Sequence, residues 1–147
     1  MRRVRPEEVA AMRNDGRLLA AIAYRKQNPG RYRMSEAYWL VQGNCANVDP
    51  EFMFPAPRAK AEAQLAMCDG CPVQTPCLVR ALESGDRFGV WGGTRPSERR
   101  VMQLAWNEEW DRDAEESSES MNDFTVPPVR REPNVFVEAA QLVGAAA

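Results

Sequence analysis

The chain has four cysteines and no histidine, and three of the four fall within ten residues, as Cys68-Asp-Gly-Cys71-Pro-Val-Gln-Thr-Pro-Cys77. The fourth, Cys45, stands 23 positions before Cys68. Four thiolates brought together make one four-ligand metal site, and the lack of histidine excludes a mixed Cys/His site. Cys-x2-Cys is a chelating turn in which both sulfurs reach one centre while intervening backbone N–H groups point at them. Cys77 closes from the next helix and Cys45 from a separate helix. The site would therefore tie distant segments together, with folding coupled to metal loading.

Two metal chemistries compete for this spacing. Zinc takes four-cysteine sites, but zinc ribbons usually carry two Cys-x2-Cys knuckles and this chain has one. Iron–sulfur clusters also take four thiolates, often with one ligand set apart, and the spacing favours them. A 4Fe–4S core in its 2+ state with four thiolates has a net charge of 2−, and a helix N-terminus beside it would stabilise that anion. A pair of structural disulfides is the third reading. A reducing cytosol, where thiols persist, disfavours it.

Length and composition bound the rest. At 147 residues one domain is the default, and eleven prolines and nine glycines with a negative mean hydropathy imply a small core with loose flanks. A metal staple commonly compensates for so little buried apolar surface. No run of about 18 apolar residues exists to span a membrane, and no apolar stretch follows the basic start, so cytoplasmic residence is expected.

Charge is distributed unevenly. Residues 1–38 hold nine Arg/Lys against four Asp/Glu, residues 39–106 seven of each, and residues 107–147 three against ten. A basic head, a neutral middle and an acidic tail suggest different partners for the two ends, with solvated faces as the plain alternative.

Apolar spacing predicts helices over 7–13 and 17–27, with Asp15 capping the second. Residues 35–44 read as a capped helix delivering Cys45, 49–55 as an extended aromatic loop, and 57–67 as an Ala-rich helix. Thr75 is placed as the cap of a helix starting at Pro76 and ending at Gly85. Gly89-Val90-Trp91-Gly92-Gly93 is a tight turn, and Thr94-Arg95-Pro96 opens a helix to about 112. Met102, Trp106 and Trp110 recur at four-residue spacing, usually a core face. Residues 115–120 have a disordered composition. The expected architecture is mainly α: a basic helical extension (1–38), a small metal-organised helical domain (39–112) and an acidic, disordered tail (113–147).

From Trp39 to about Arg100 the chain resembles the WhiB-like iron–sulfur transcription regulators of actinobacteria and their phages. The resemblance is carried by Trp39 six positions before Cys45, by Asp49-Pro50-Glu51-Phe52-Met53-Phe54-Pro55, and by Cys68-x2-Cys71-Pro72-Val73-x3-Cys77. Ala81-Leu82, Phe88-Gly89-Val90-Trp91-Gly92-Gly93 and Glu98-Arg99-Arg100 complete it. It implies a 4Fe–4S cluster on Cys45, Cys68, Cys71 and Cys77, sensitive to oxygen and nitric oxide, in a small helical fold. It also implies docking on region four of the primary sigma factor, with Trp91 as an apolar anchor, Phe54 as a second and Trp39 packed near the cluster. Read from the residues alone, Trp91 is instead a core plug beneath its turn. Many members end in a basic DNA-binding tail, whereas here an acidic segment follows, which phosphate repels. The basic extension before Trp39 is the remaining candidate for DNA contacts.

Three functions follow from these residues. The first is a regulator whose cluster shapes a sigma-binding surface. In the second, the protein occupies sigma without reading DNA. The third is a thiol–disulfide reductase using Cys68 and Cys71, against which stands the lack of a βαβ pattern. Without histidine the usual catalytic triads are absent, and a non-enzymatic role is expected.

Overall fold

A computed structural model describes residues 2–29, 39–56 and 60–122. The order of elements is α1 (Pro6–Met12), α2 (Gly16–Gln27), a 3-10 helix (Pro50–Met53), α3 (Glu62–Cys68), α4 (Gln74–Ser84) and α5 (Pro96–Asn122). Among the described residues, extended pairing is limited to an isolated antiparallel bridge between Trp91 and Thr94. The chain divides into two units, Met1–Arg112 and Asp113–Ala147.

Local chemistry explains most boundaries. The Asp15 side chain accepts from the Arg17 N–H and caps α2. Asp49 likewise accepts from the Glu51 N–H at the start of the 3-10 helix, where Pro50 lacks a donor to satisfy. The segment 49–55, expected to be an extended loop, is thus wound into a short turn. Helix α4 begins at Gln74, two residues before the expected start, so Thr75 lies inside the first turn and makes no side-chain cap. Pro76 is tolerated there because first-turn N–H groups have no partner within the helix. Gly85, left-handed at φ 66°, ends α4.

The predicted helix over 35–44 is not seen where it can be checked. Residues 39–42 make one 3-10 turn, followed by turns to 47, and 35–38 lie outside the described residues. Gly43 and Asn44 are poor helix formers and explain the early stop.

The main core lies in the first unit. Val9 of α1, Leu18 and Ala21 of α2, Leu78, Val79 and Leu82 of α4, and Met102, Ala105 and Trp106 of α5 form one buried cluster. Burying each large aliphatic side chain contributes roughly 1.5–3 kcal/mol. The Met102–Trp106–Trp110 stripe is therefore a core face: Trp106 is buried, and Trp110 packs edge-on to it at 5.2 Å. The two N-terminal helices, distinguished in the sequence by charge, share this core rather than standing apart.

A second, smaller cluster comprises Met53, Ala61, Cys68 and Val90. The Val90 N–H donates to the Met53 carbonyl at 2.8 Å, joining the 3-10 helix to the glycine turn. Gln64 donates to the Phe52 carbonyl at 2.9 Å and ties α3 to the same segment.

In the second unit the described residues, 113–122, are the distal part of α5. Residues 115–120, expected to be unstructured, are helical. No glycine or proline interrupts the chain between Pro96 and Pro127, and the Ser117 and Ser118 hydroxyls donate to the Asp113 and Glu115 carbonyls. Residues 123–147 lie outside the described residues.

Candidate metal centre

The four cysteines, separated by up to 32 positions in sequence, line one cavity of about 310 Å³. Each is positioned by short-range bonding. Cys45 sits in a run of turns in which Gly43 N–H donates to Leu40 and Ala46 N–H to Gly43, and Asn44 Nδ2 reaches the Met67 carbonyl at 3.1 Å. Cys68 is the last residue of α3, and the Cys71 N–H donates to its carbonyl at 3.1 Å, closing the chelating turn. The Cys77 N–H donates to the Val73 carbonyl at 2.9 Å, which places the thiol in the first turn of α4. All four are free thiols, so the disulfide reading is set aside.

The cavity wall is apolar. Among the described residues that line it, no side chain besides the thiols is ionisable, and Gln74 is the one amide. Backbone N–H groups at the start of α4 are placed to compensate negative charge. The glycine turn supplies two more. Burial pushes the Cys77 thiol up to about 12, while a hydrogen bond from the Gly92 N–H pulls it down. Burial also raises the Cys68 thiol, and the Gly93 N–H opposes that rise. Loading of a metal must displace these protons.

The turn approaches α4 so closely that a side chain has no room. A Cβ on Gly92, whose φ is +53°, would stand 2.5 Å from Leu78 Cβ and 2.6 Å from its backbone N. On Gly93, at φ +73°, it would stand 2.5 Å from Gln74 Nε2. Both positions favour glycine by conformation, and at Gly92 the contact with the Leu78 backbone requires it as well.

Four soft donors around a space of this size fit a core of several metal and sulfide atoms better than one zinc ion, whose sulfurs must converge to about 2.3 Å from a single point. Among the described residues, no group of three Cys, Asp or Glu side chains is arranged to grip a lone ion.

The residues expected at a partner surface divide. Trp91 and Phe54 both line the cavity and meet edge to face, with centroids 6.2 Å apart. Phe54 is half exposed, and Trp91 is half-buried, with its indole N–H donating to the Phe88 carbonyl and Arg80 stacked 5.1 Å from its ring. Trp91 is thus a rim residue rather than a core plug. Phe88 and Val41 add further exposed apolar surface, whereas Met53 is the member of its aromatic loop that is tucked inside. Trp39 is half-buried at the head of the 3-10 turn, and the cavity wall begins one residue later at Leu40.

Two arginines escaped sequence reasoning. Arg99 is 1 % exposed. Its guanidinium donates to the carbonyls of Asp86, Phe88, Gly89 and Thr94 and to Thr94 Oγ1, at 2.9–3.2 Å. In sequence it is half of an Arg-Arg pair that looks like surface charge. Arg17 donates through Nη1 to the Gly93 carbonyl at 2.8 Å, from 76 residues away. No sequence signal announces that contact.

The basic extension also differs from a free cationic arm. Arg13 pairs with Glu108, Lys26 with Glu109, Arg25 with Glu83, and Arg17 with Asp15 and Glu98.

A family model described as transcription factor WhiB matches residues 39–102. The transcriptional regulator WhiB of Streptomyces coelicolor is 37% identical over 70 residues, covering 48% of this chain and 80% of that protein. WhiB1 of Mycobacterium tuberculosis is 42% identical over 69 residues, covering 44% of this chain and 82% of that protein. WhiB2 of Mycolicibacterium smegmatis is 40% identical over 67 residues, and there the match spans about half of the relative's length (52%).

Proposed function

We propose, from the premise that this chain belongs to the WhiB family of transcription factors, that it is a transcription regulator holding a 4Fe–4S cluster and docking on region four of the primary sigma factor. The observation that carries this reading is the convergence of Cys45, Cys68, Cys71 and Cys77 on one apolar cavity. When bound, the cluster supplies one-electron chemistry and reactivity toward oxygen and nitric oxide. The chain's own residues line the cavity with apolar side chains, hold the thiols and offer N–H groups toward the sulfurs.

Docking is supported by the rim. Phe54 and Trp91 share walls with the cysteine cavity, so a change in the cavity would reach the surface through them. Partly exposed aromatics beside an apolar pocket are the usual anchors of a protein interface. Anaerobic purification should yield a brown protein with about four iron and four sulfide per chain. The same preparation should capture the primary sigma factor. Colourless protein that retains zinc would defeat the cofactor assignment. Iron-loaded protein with no affinity for sigma would defeat the docking assignment alone. Sigma capture unchanged by nitric oxide would make the cluster structural rather than a sensor.

A specific observation favours the second reading, in which the protein sequesters sigma without binding DNA itself. Arg13, Arg17, Arg25 and Lys26 are engaged with carboxylates, which reduces the charge the extension offers to phosphate. Tight, steeply salt-dependent DNA binding by the isolated chain would refute it.

A further inference from the structure

Arg17 lies 22 positions before the segment that matches the family, yet its guanidinium meets the glycine turn that faces two of the cysteines. Its four contacts run in three directions. Nε and Nη2 donate to Asp15, the cap of α2, at 3.1 and 2.8 Å. Nη2 also reaches Glu98 at 3.2 Å, and Glu98 in turn accepts from the Arg95 N–H at the start of α5. Nη1 donates to the Gly93 carbonyl at 2.8 Å. One planar group thus joins the N-terminus of α2, the start of α5 and the turn between α4 and α5. Arginine suits such a junction because its donors are fixed in one rigid fork.

The Gly93 contact matters because of what else that residue does. Gly93 has no side chain to lock its torsions, and its backbone is left-handed at φ +73°. It packs against a cysteine of the site: a Cβ on it would lie 3.8 Å from the Cys68 Cβ. Its carbonyl side is held by Arg17. Pinning the carbonyl of a glycine limits the freedom that would let the turn swing away from Cys68. Arg99 fixes the turn at Phe88, Gly89 and Thr94, leaving Gly93 to Arg17.

We propose that Arg17 is a positioning residue for the cysteine site: by gripping the Gly93 carbonyl from α2, it keeps the Gly93 backbone against Cys68 and makes the N-terminal helices part of the metal centre. This rests on the cluster assignment above. The extension is then an internal brace, and its removal would alter how the centre holds its ligand even where the remaining chain folds.

The test uses the full chain with Arg17→Ala, Arg17→Lys and, as control, Arg25→Ala, which breaks an ion pair on the same helix that does not touch the turn. Amide hydrogen exchange at Gly93 and Thr94 reads the clamp directly. Protection should fall about tenfold in Arg17→Ala, partly recover in Arg17→Lys and stay unchanged in Arg25→Ala. In anaerobically loaded protein, the visible circular dichroism should change and iron should pass to a chelator severalfold faster in Arg17→Ala than in the control. Unchanged exchange at Gly93, or iron loss no faster than in Arg25→Ala at matched stability, overturns the proposal. Wild-type protein that binds no iron but shows the Gly93 exchange effect would refute the cluster assignment and leave the clamp standing.

Discussion

Helix α4 buries Leu78, Val79 and Leu82 among side chains of α1, α2 and α5, whereas its first turn presents Cys77 to a cavity. The first neighbourhood is a nine-residue buried cluster of ordinary aliphatic and aromatic packing. The second is a four-residue cluster that lines the cysteine cavity together with the thiols. Dense packing supplies its own dispersion contacts and apolar burial, and the larger cluster has more of both. The helical core thus carries most of the apolar burial, while the cysteine side offers donors for a metal centre.

The largest expected effect separates the two outright. Cys77→Ser should abolish iron binding and the visible colour while the far-ultraviolet helical signal of the α2–α4–α5 core largely persists. Complete loss of helicity would mean the core is not independent of the centre. Leu18→Ala strikes the other side. At 0 % exposure it should cost about 3 kcal/mol in urea unfolding, with iron per folded molecule unchanged. Gly92→Ala tests the seam between the regions. The added methyl would collide with Leu78 in a strained backbone, and a loss of about 2 kcal/mol with weakened iron retention is expected. The smallest effect belongs to Arg13→Ala. Its pair with Glu108 is half exposed, so chemical denaturation should shift by less than about 1 kcal/mol, and less still in high salt.

The same division governs what could be read from sequence. Helices α1 and α2 were legible because apolar spacing and the Asp15 cap agree, and α5 because Pro96 follows a glycine turn. The meeting of four cysteines was legible from their spacing and number. The start of α4 was not, because Thr75 and Pro76 imitate a cap that the backbone places at Val73. The segment before Cys45 and the acidic end of α5 each pitted composition against local bonding, and local bonding prevailed. Long-range polar contacts left no trace. Arg17 and Arg99 look like any surface arginine until the fold brings carbonyls 76 and 10–13 residues away within reach.

Arg99 has a consequence beyond holding the turn. Every acceptor it uses is a neutral carbonyl or hydroxyl, so no carboxylate directly bonded to it cancels its charge. The molecule therefore keeps a cation in its interior, on which Asp86 acts most strongly of the charged groups, followed by Cys77 and Glu98. A redox centre held by Cys45, Cys68, Cys71 and Cys77 would lie within the field of this charge. Replacing Arg99 with methionine should make the loaded centre harder to reduce, which a midpoint potential would register as a shift to more negative voltage.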